Sequence, residues 1–296
     1  MKLKEYLDEK RTAVEKALDS FLPQTPGPAE ELYNAMRYSL FAGGKRIRPI
    51  LCIAAAESVG GNQGDVMPVA CAFEMIHTYS LIHDDLPAMD DDELRRGKPT
   101  NHMVYGEAIA ILAGDGLLTE AFRVMASPDL LARAGAERFG RVLAMVASSA
   151  GARGMVLGQA LDIRAEGKII DTPRMELIHE HKTGALLRAS VAAGAILGNG
   201  TEKEIEQLDK YGKCIGLTFQ ISDDILDIEG SAKELGKQTG VDMERGKNTY
   251  PSNYGVEKAK KILKEITDNA VEALVGLDEK ANILRQLAFY IMERKK

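Results

Sequence analysis

The sequence predicts an all-α protein folded as one domain. Apolar residues recur at helical spacing through long stretches rich in Ala, Leu, Met, Glu and Lys. Alternating β-branched runs are nearly absent, and the ten prolines fall where helices would start or stop. The helical stretches read as 29–42, 49–60, 66–86, 104–126, 129–165, 173–198, 201–229 and 255–293, the last broken near Gly276. The opening MKLKEYLDEKRTAVEKAL is also charged and helix-periodic. Two starts carry explicit signals. Thr201 followed by Glu204 makes a capping box, and Thr172-Pro173 with Glu176 reads as an N-cap with Pro at the first helical position. No internal repeat, low-complexity tract or composition break divides residues 1–296. At 296 residues and 45% hydrophobic content the chain can bury a substantial core.

Charge and cysteine usage narrow the class. A net charge of −6 argues against a nucleic-acid partner. Cys52, Cys71 and Cys214 are odd in number, far apart and outside any CxxC, so neither a disulfide framework nor a zinc site follows. The N-terminal stretch lacks the apolar centre of a signal peptide, and Arg188 interrupts the best candidate for a membrane span. These features predict a soluble protein of the reducing cytoplasm. GxSxG, GxGxxG and HExxH are absent, and Gly44-Lys45 is followed by Arg46 where a phosphate loop needs Ser or Thr. His179 and His181 are two apart, which is wrong for a zinc pair on one helix face. Nucleophilic catalysis has no visible apparatus.

Two acidic stretches stand out, HDDLPAMDDDELRRGKPT (83–100) and FQISDDILDIEG (219–230). In the second, Asp223 and Asp227 are four apart, about 40° around a helix, with Asp224 beside them. Apolar residues surround all three. Two carboxylates ~4 Å apart repel by roughly 4 kcal/mol at an effective dielectric near 20, a penalty that a hard divalent cation removes. In the first stretch Asp84 and Asp85 close an apolar helix that Pro87 breaks. Asp90 would lie about 240° from Asp84 in an unbroken helix, so the Leu86-Pro87 interruption is what can turn it back. Taken singly, the first cluster also fits a solvated acidic loop and the second a solvated helix face. Two clusters set against apolar helices point instead to metal-bridged phosphates, because magnesium takes one or two carboxylates and completes its shell with water and phosphate oxygens. Basic residues accompany them: Lys45, Arg46, Arg48, Arg95, Arg96, Lys182, Lys237 and Lys247. Arg holds phosphate bidentately and Lys as a point charge, although any one of these could be an ordinary surface cation. Met75, Met89 and Met103 read as packing residues.

Together these stretches resemble the trans-type polyprenyl diphosphate synthases, most closely the bacterial farnesyl diphosphate synthases. The resemblance runs from GGKRIRP (43–49) to GKNTYP (246–251) through DDLPAMD with RRGKPT, GQALD, HKTGALL and FQISDDILD. It implies a large helical bundle around a deep central cavity, of the isoprenoid synthase type, and a homodimer. It also implies condensation of isopentenyl diphosphate with dimethylallyl and geranyl diphosphate, with two or three magnesium ions (or manganese) as cofactor. The ions would sit on Asp84, Asp90 and Asp223, assisted by Asp85, Asp224 and Asp227. Arg95, Lys182 and Lys237 would hold the allylic diphosphate, and oxygens near Lys182-Thr183 and Gln220 would steady the allylic cation. Isopentenyl diphosphate would bind Lys45, Arg48, His77 and Arg96. The expected product is farnesyl diphosphate, because Tyr79, five residues before Asp84, stands where the family places a bulky pocket floor. Ser80 beside it is too small for that. Geranylgeranyl diphosphate is the alternative product. A class I terpene cyclase or a non-catalytic prenyl synthase subunit fits less well, the first for want of its mixed metal motif and the second because no motif residue is missing. His77 could instead be structural, and Gln159 and Asp162 could be metal-supporting groups or a polar pair in the core.

Overall fold

The structure is a computed structural model that describes residues 2–229 and 248–294. Helix α1 (Leu3–Phe21) lies against α3 (Ile47–Ser58) and α4 (Gln63–Asp84), with α2 (Glu30–Leu40) between α4 and α6 (Glu107–Met125). The short α5 (Asn101–Tyr105) leads into α6. The stretch read as one helix over 129–165 is three: α7 (Pro128–Ala134), α8 (Ala136–Ala150) and α9 (Met155–Ala165). Gly135, at φ 76°, and the turn at 151–154 make the breaks. Helix α10 (Thr172–His179) runs through a π turn (Glu180–Gly184) into α11 (Ala185–Leu197), and α12 (Glu202–Glu229) follows. After the undescribed stretch come α13 (Tyr250–Tyr254), α14 (Val256–Ala273) and α15 (Asn282–Met292), with the expected interruption around Gly276.

Caps fix the starts. The Thr201 N–H donates to Glu204 Oε2 (2.7 Å) and the Glu204 N–H to Thr201 Oγ1 (3.3 Å), the reciprocal box that the sequence announces. At α10 the cap is one residue earlier than expected. Asp171 Oδ1 accepts from the Arg174 N–H (3.1 Å), a stronger cap than Thr172 because the acceptor is charged.

Helices α3, α4 and α11 form the centre. From Ala189 to Leu197 every residue of α11 is buried, and α4 is buried on most sides from Val66 to Ile82, as befits helices apolar around their circumference. All three cysteines are free thiols, with Cys52 and Cys71 inside the core. Among the described residues no helix is long and apolar enough to cross a membrane.

Among the described residues a short hairpin is the non-helical regular element. Leu94–Arg95 (β1) pairs antiparallel with Lys98–Pro99 (β2), Leu94 opposite Pro99 and Arg95 opposite Lys98. The two turn residues, Arg96 (φ 54°) and Gly97 (φ 74°), are both left-handed, the geometry of a type I′ hairpin turn.

Candidate active site

The first carboxylate bank forms where α4 ends. Beyond Asp84 the Leu86 N–H donates to the His83 carbonyl (3.2 Å), the Met89 N–H to Leu86 (2.9 Å) and the Asp90 N–H back to the Asp84 carbonyl (2.9 Å). The proline-broken turn therefore returns Asp90 to Asp84. Burial pushes the Asp84 carboxyl up to about 6; Asp90 and Asp85 add to the rise, while Lys182 and Arg95 oppose it. Asp85 is 3% exposed and accepts from Arg95 Nε (2.6 Å) and Nη2 (2.5 Å). The hairpin turn separates neighbouring arginines. Arg95 reaches back to Asp85, whereas Arg96 donates to the Gly43 carbonyl beside the GGKRIRP stretch.

A basic pocket lies next to it. Arg48 is buried, its Nε without a hydrogen-bond partner, and burial pulls it down to about 10; Arg96 and Arg294 add to this, and Glu74 and Asp223 oppose it. The His77 ring is held well below its ordinary value by burial, then by Arg48, Arg96, Arg95 and Arg46, so it is neutral at pH 7. Three expected isopentenyl diphosphate residues, Arg48, His77 and Arg96, are thus gathered, and Lys45 is half-buried alongside Arg46. Arg46 itself is a strut. In a left-handed conformation it donates from Nη1 to Glu74 (2.8 Å) and from Nη2 to the Leu40 carbonyl (2.8 Å).

The π turn carries the next two groups. Lys182 Nζ lies 2.6 Å from Asp162 Oδ2, and Thr183 Oγ1 donates to Gln220 Oε1 (2.7 Å). Burial would lower the Lys182 ammonium, but Asp162, Asp84 and Asp90 outweigh it and raise it, so the charge persists. Gln220 Nε2 donates to Asp224 Oδ1 (2.8 Å), whose other oxygen accepts the Tyr250 N–H (2.9 Å). Gly158 of GQALD permits this assembly. A Cβ there would stand 2.1 Å from the Lys182 backbone nitrogen, so only glycine lets α9 lie against the turn. On α12 the aspartates differ: Asp224 is 1% exposed and Asp227 buried, while the Asp223 side chain is 48% exposed and 2.8 Å from Arg294.

The chain is similar in sequence and fold to known proteins. Residues 29–284 match the family described as polyprenyl synthetase. The chain belongs to that family. It is 49% identical over 294 residues to the large subunit 1 of the heterodimeric geranylgeranyl pyrophosphate synthase of Arabidopsis thaliana chloroplasts, covering 98% of this chain and 79% of that protein. It is 50% identical over 292 residues to the chloroplastic geranylgeranyl pyrophosphate synthase of Capsicum annuum, covering 98% and 78%. The crystal structure of an FPP/GFPP synthase from Zymomonas mobilis superposes with a TM-score of 0.87 at 34% identity over 98% of both chains. The protein is a prenyltransferase with the all-α isoprenoid synthase fold.

Among the described residues no three Asp, Glu, His or Cys side chains stand as close as ligands of one ion. A magnesium ion bridged to diphosphate does not need three, since one or two carboxylates suffice. Asp84 with Asp90 offers hard oxygens whose mutual repulsion a cation relieves, and Asp223 offers an exposed one. The donors fit. Asp85, expected to assist at the metal, accepts from Arg95, and Asp224, expected likewise, accepts from Gln220 and the Tyr250 N–H. Asp227 is buried rather than sharing the exposed face of Asp223. Lys237 and Lys247 lie outside the described residues. The Tyr79 ring is buried, edge-on to His83 (5.7 Å, 80°), and His83 Nε2 lies 3.1 Å from the Ile111 carbonyl of α6. Ser80 Oγ donates to the His77 carbonyl (2.8 Å). Asp162, left open by the sequence, is the ion-pair partner of Lys182, while Gln159 Oε1 is buried without a partner. The pairing of Asp223 with Arg294 has no local signal in the sequence.

Proposed function

We propose that the chain is a trans-prenyl diphosphate synthase that joins isopentenyl diphosphate to an allylic diphosphate, and that its main product is geranylgeranyl diphosphate. The observation that carries the reaction is that Lys182 feels Asp84 and Asp90 of the first carboxylate bank while Thr183 bonds to Gln220, on the helix of the second. Magnesium at Asp84, Asp90 and Asp223 would supply Lewis-acid stabilisation of the departing diphosphate. Arg95 and Lys182 bind the same group by charge-assisted hydrogen bonds. Arg48, Arg96 and Lys45, with the neutral ring of His77, hold isopentenyl diphosphate. Asp224 orients the Gln220 amide so that Gln220 Oε1 and Thr183 Oγ1 present oxygens to the allylic cation. The released diphosphate takes the final proton, so no side-chain base is required.

The twenty-carbon product is supported by the geranylgeranyl synthases named above at 49–50% identity. The fifteen-carbon product remains a second reading because of the buried ring of Tyr79, five residues before Asp84. Incubation with labelled isopentenyl diphosphate and dimethylallyl diphosphate, followed by chain-length analysis, tests both. Failure to incorporate label with magnesium present would refute the synthase reading, and a pure farnesyl product would refute the geranylgeranyl one. Tyr79→Ala is expected to lengthen the product only if the ring floors the pocket; an active variant with an unchanged product places the ring outside it.

We also propose a homodimer. Met103 and Val104 on α5 and Ile111 and Leu112 on α6 are exposed large apolar side chains on adjoining helices, a patch that a second copy would cover. Light scattering is expected to give twice the mass of one chain, and a monomeric mass would overturn this.

A further inference from the structure

Arg294, just beyond α15, is held more completely than an arginine in that position needs to be. Its side chain is 5% exposed. The guanidinium carbon lies 3.7 Å from the Phe219 ring centroid, Nη2 is 2.8 Å from Asp223 Oδ1 and donates to the Phe219 carbonyl (2.5 Å), and Nε donates to Ser222 Oγ (3.2 Å). Among the described residues these partners belong to one stretch of α12, the stretch that presents Asp223. Arg48 of the basic pocket feels both Asp223 and Arg294, so the pair is electrostatically coupled to the proposed isopentenyl diphosphate site. Asp223 is paired yet still 48% exposed, open to a second cation.

We infer that Arg294 is a positioning residue that serves as a placeholder cation for Asp223. It fixes this carboxylate before metal arrives and yields it when a divalent ion bound to diphosphate takes its place. A divalent ion on Asp223 would repel the guanidinium that lies 2.8 Å from Oδ1, and this repulsion is what would loosen the pair. Metal occupancy is thereby coupled to the docking of the segment after α15 on α12. The stacking on Phe219 and the bond to Ser222 supply the attraction that returns Arg294 when the ion leaves. The inference rests on the reading of Asp223 as a metal-binding group.

The experiment is Mn2+ binding in the presence of inorganic diphosphate, followed by electron paramagnetic resonance in the wild type, Arg294→Met, Arg294→Lys and Asp223→Asn. Methionine keeps volume and contact with the Phe219 ring but removes the charge. Removing a competing, partly exposed ion pair is expected to tighten Mn2+ binding about 3- to 5-fold. Arg294→Lys, which keeps the charge, is expected to stay near the wild type. In the wild type, Mn2+ with diphosphate is expected to speed amide hydrogen exchange in residues 289–294. Unchanged or weaker Mn2+ binding in Arg294→Met, with exchange insensitive to metal, makes Arg294 purely structural and overturns the inference. If Asp223→Asn also leaves Mn2+ affinity unchanged, the metal-site reading falls with it. If Asp223→Asn weakens binding and Arg294→Met does not tighten it, only the placeholder role falls.

Discussion

Replacing Asp84 by asparagine is expected to lower turnover by about 10³-fold, roughly 4 kcal/mol of transition-state stabilisation, while making the metal-free protein more stable at pH 8. Both effects have one cause. Asp84 is a half-buried carboxylate beside Asp90 and Asp85, and its carboxyl is raised to about 6, chiefly by desolvation. The folded state therefore binds this proton more tightly than the unfolded chain, whose carboxyl titrates near ~3.9. Ionisation costs stability that is fully lost above pH 6 and recovered as pH falls toward 4. The shift corresponds to roughly 3 kcal/mol at most, and screening at a partly exposed site leaves about 1–2. His179, pulled down to about 4 mainly by burial, acts in the opposite sense and destabilises as pH falls from about 6.5. It is common to both proteins, so their difference isolates Asp84. Thermal unfolding in chelator from pH 4.5 to 8 should show a gain for Asp84→Asn that shrinks below pH 6. Wild-type turnover in the variant, or no gain at pH 8, would contradict the account.

Gly158→Ala should be nearly as damaging although it changes one hydrogen for a methyl. The added Cβ would meet Lys182 N at 2.1 Å, Lys182 Cα at 2.5 Å and His181 C at 2.7 Å. These are backbone atoms and cannot swing aside. Helix α9 must back away from the π turn, separating Asp162 from Lys182. We expect a loss of about 2–4 kcal/mol in stability and about 10²-fold in turnover by the fraction that folds. Gly140→Ala is the control. Nothing lies within 4 Å of a Cβ there, in the middle of α8, so it should stabilise by about 0.5–1 kcal/mol. Equal behaviour of the two variants in chemical denaturation would show that the close approach of α9 is not what places Lys182.

What could be read from the sequence was local. The Thr201–Glu204 box and the return of Asp90 after Pro87 depend on residues three to six apart, and both stand as expected. The basic pocket could be anticipated only through family motifs, because Arg48, His77 and Arg96 come from three separate segments. The links that make the site one unit were not legible. Asp162 finds Lys182 twenty residues away and Arg294 finds Asp223 across most of the last quarter of the chain, and no periodicity encodes either. The turn at Arg96-Gly97 was hidden because arginine seldom takes a left-handed conformation. The single helix expected over 129–165 failed for a simpler reason: alanine-rich flanks on both sides of Gly135 keep the helical period running through a break. Product size was the one functional expectation that the named relatives moved, from fifteen carbons toward twenty.

A π turn holds one residue more than an α-helix uses for the same rise, and ordinarily such a surplus can slide along a helix as a twist. Helix α11 forbids this. With every side chain from Ala189 to Leu197 enclosed, rotation would turn the whole set into the wrong neighbours. The surplus residue is therefore a trapped dislocation, pinned at 180–184 between the glycine face of α9 and the amide of Gln220 on α12. Deleting one residue there would not shorten a loop. It would heal the dislocation, and the healed rod would carry Lys182 and Thr183 on an unbroken α-helical screw, no longer matched to Asp162 and Gln220 together.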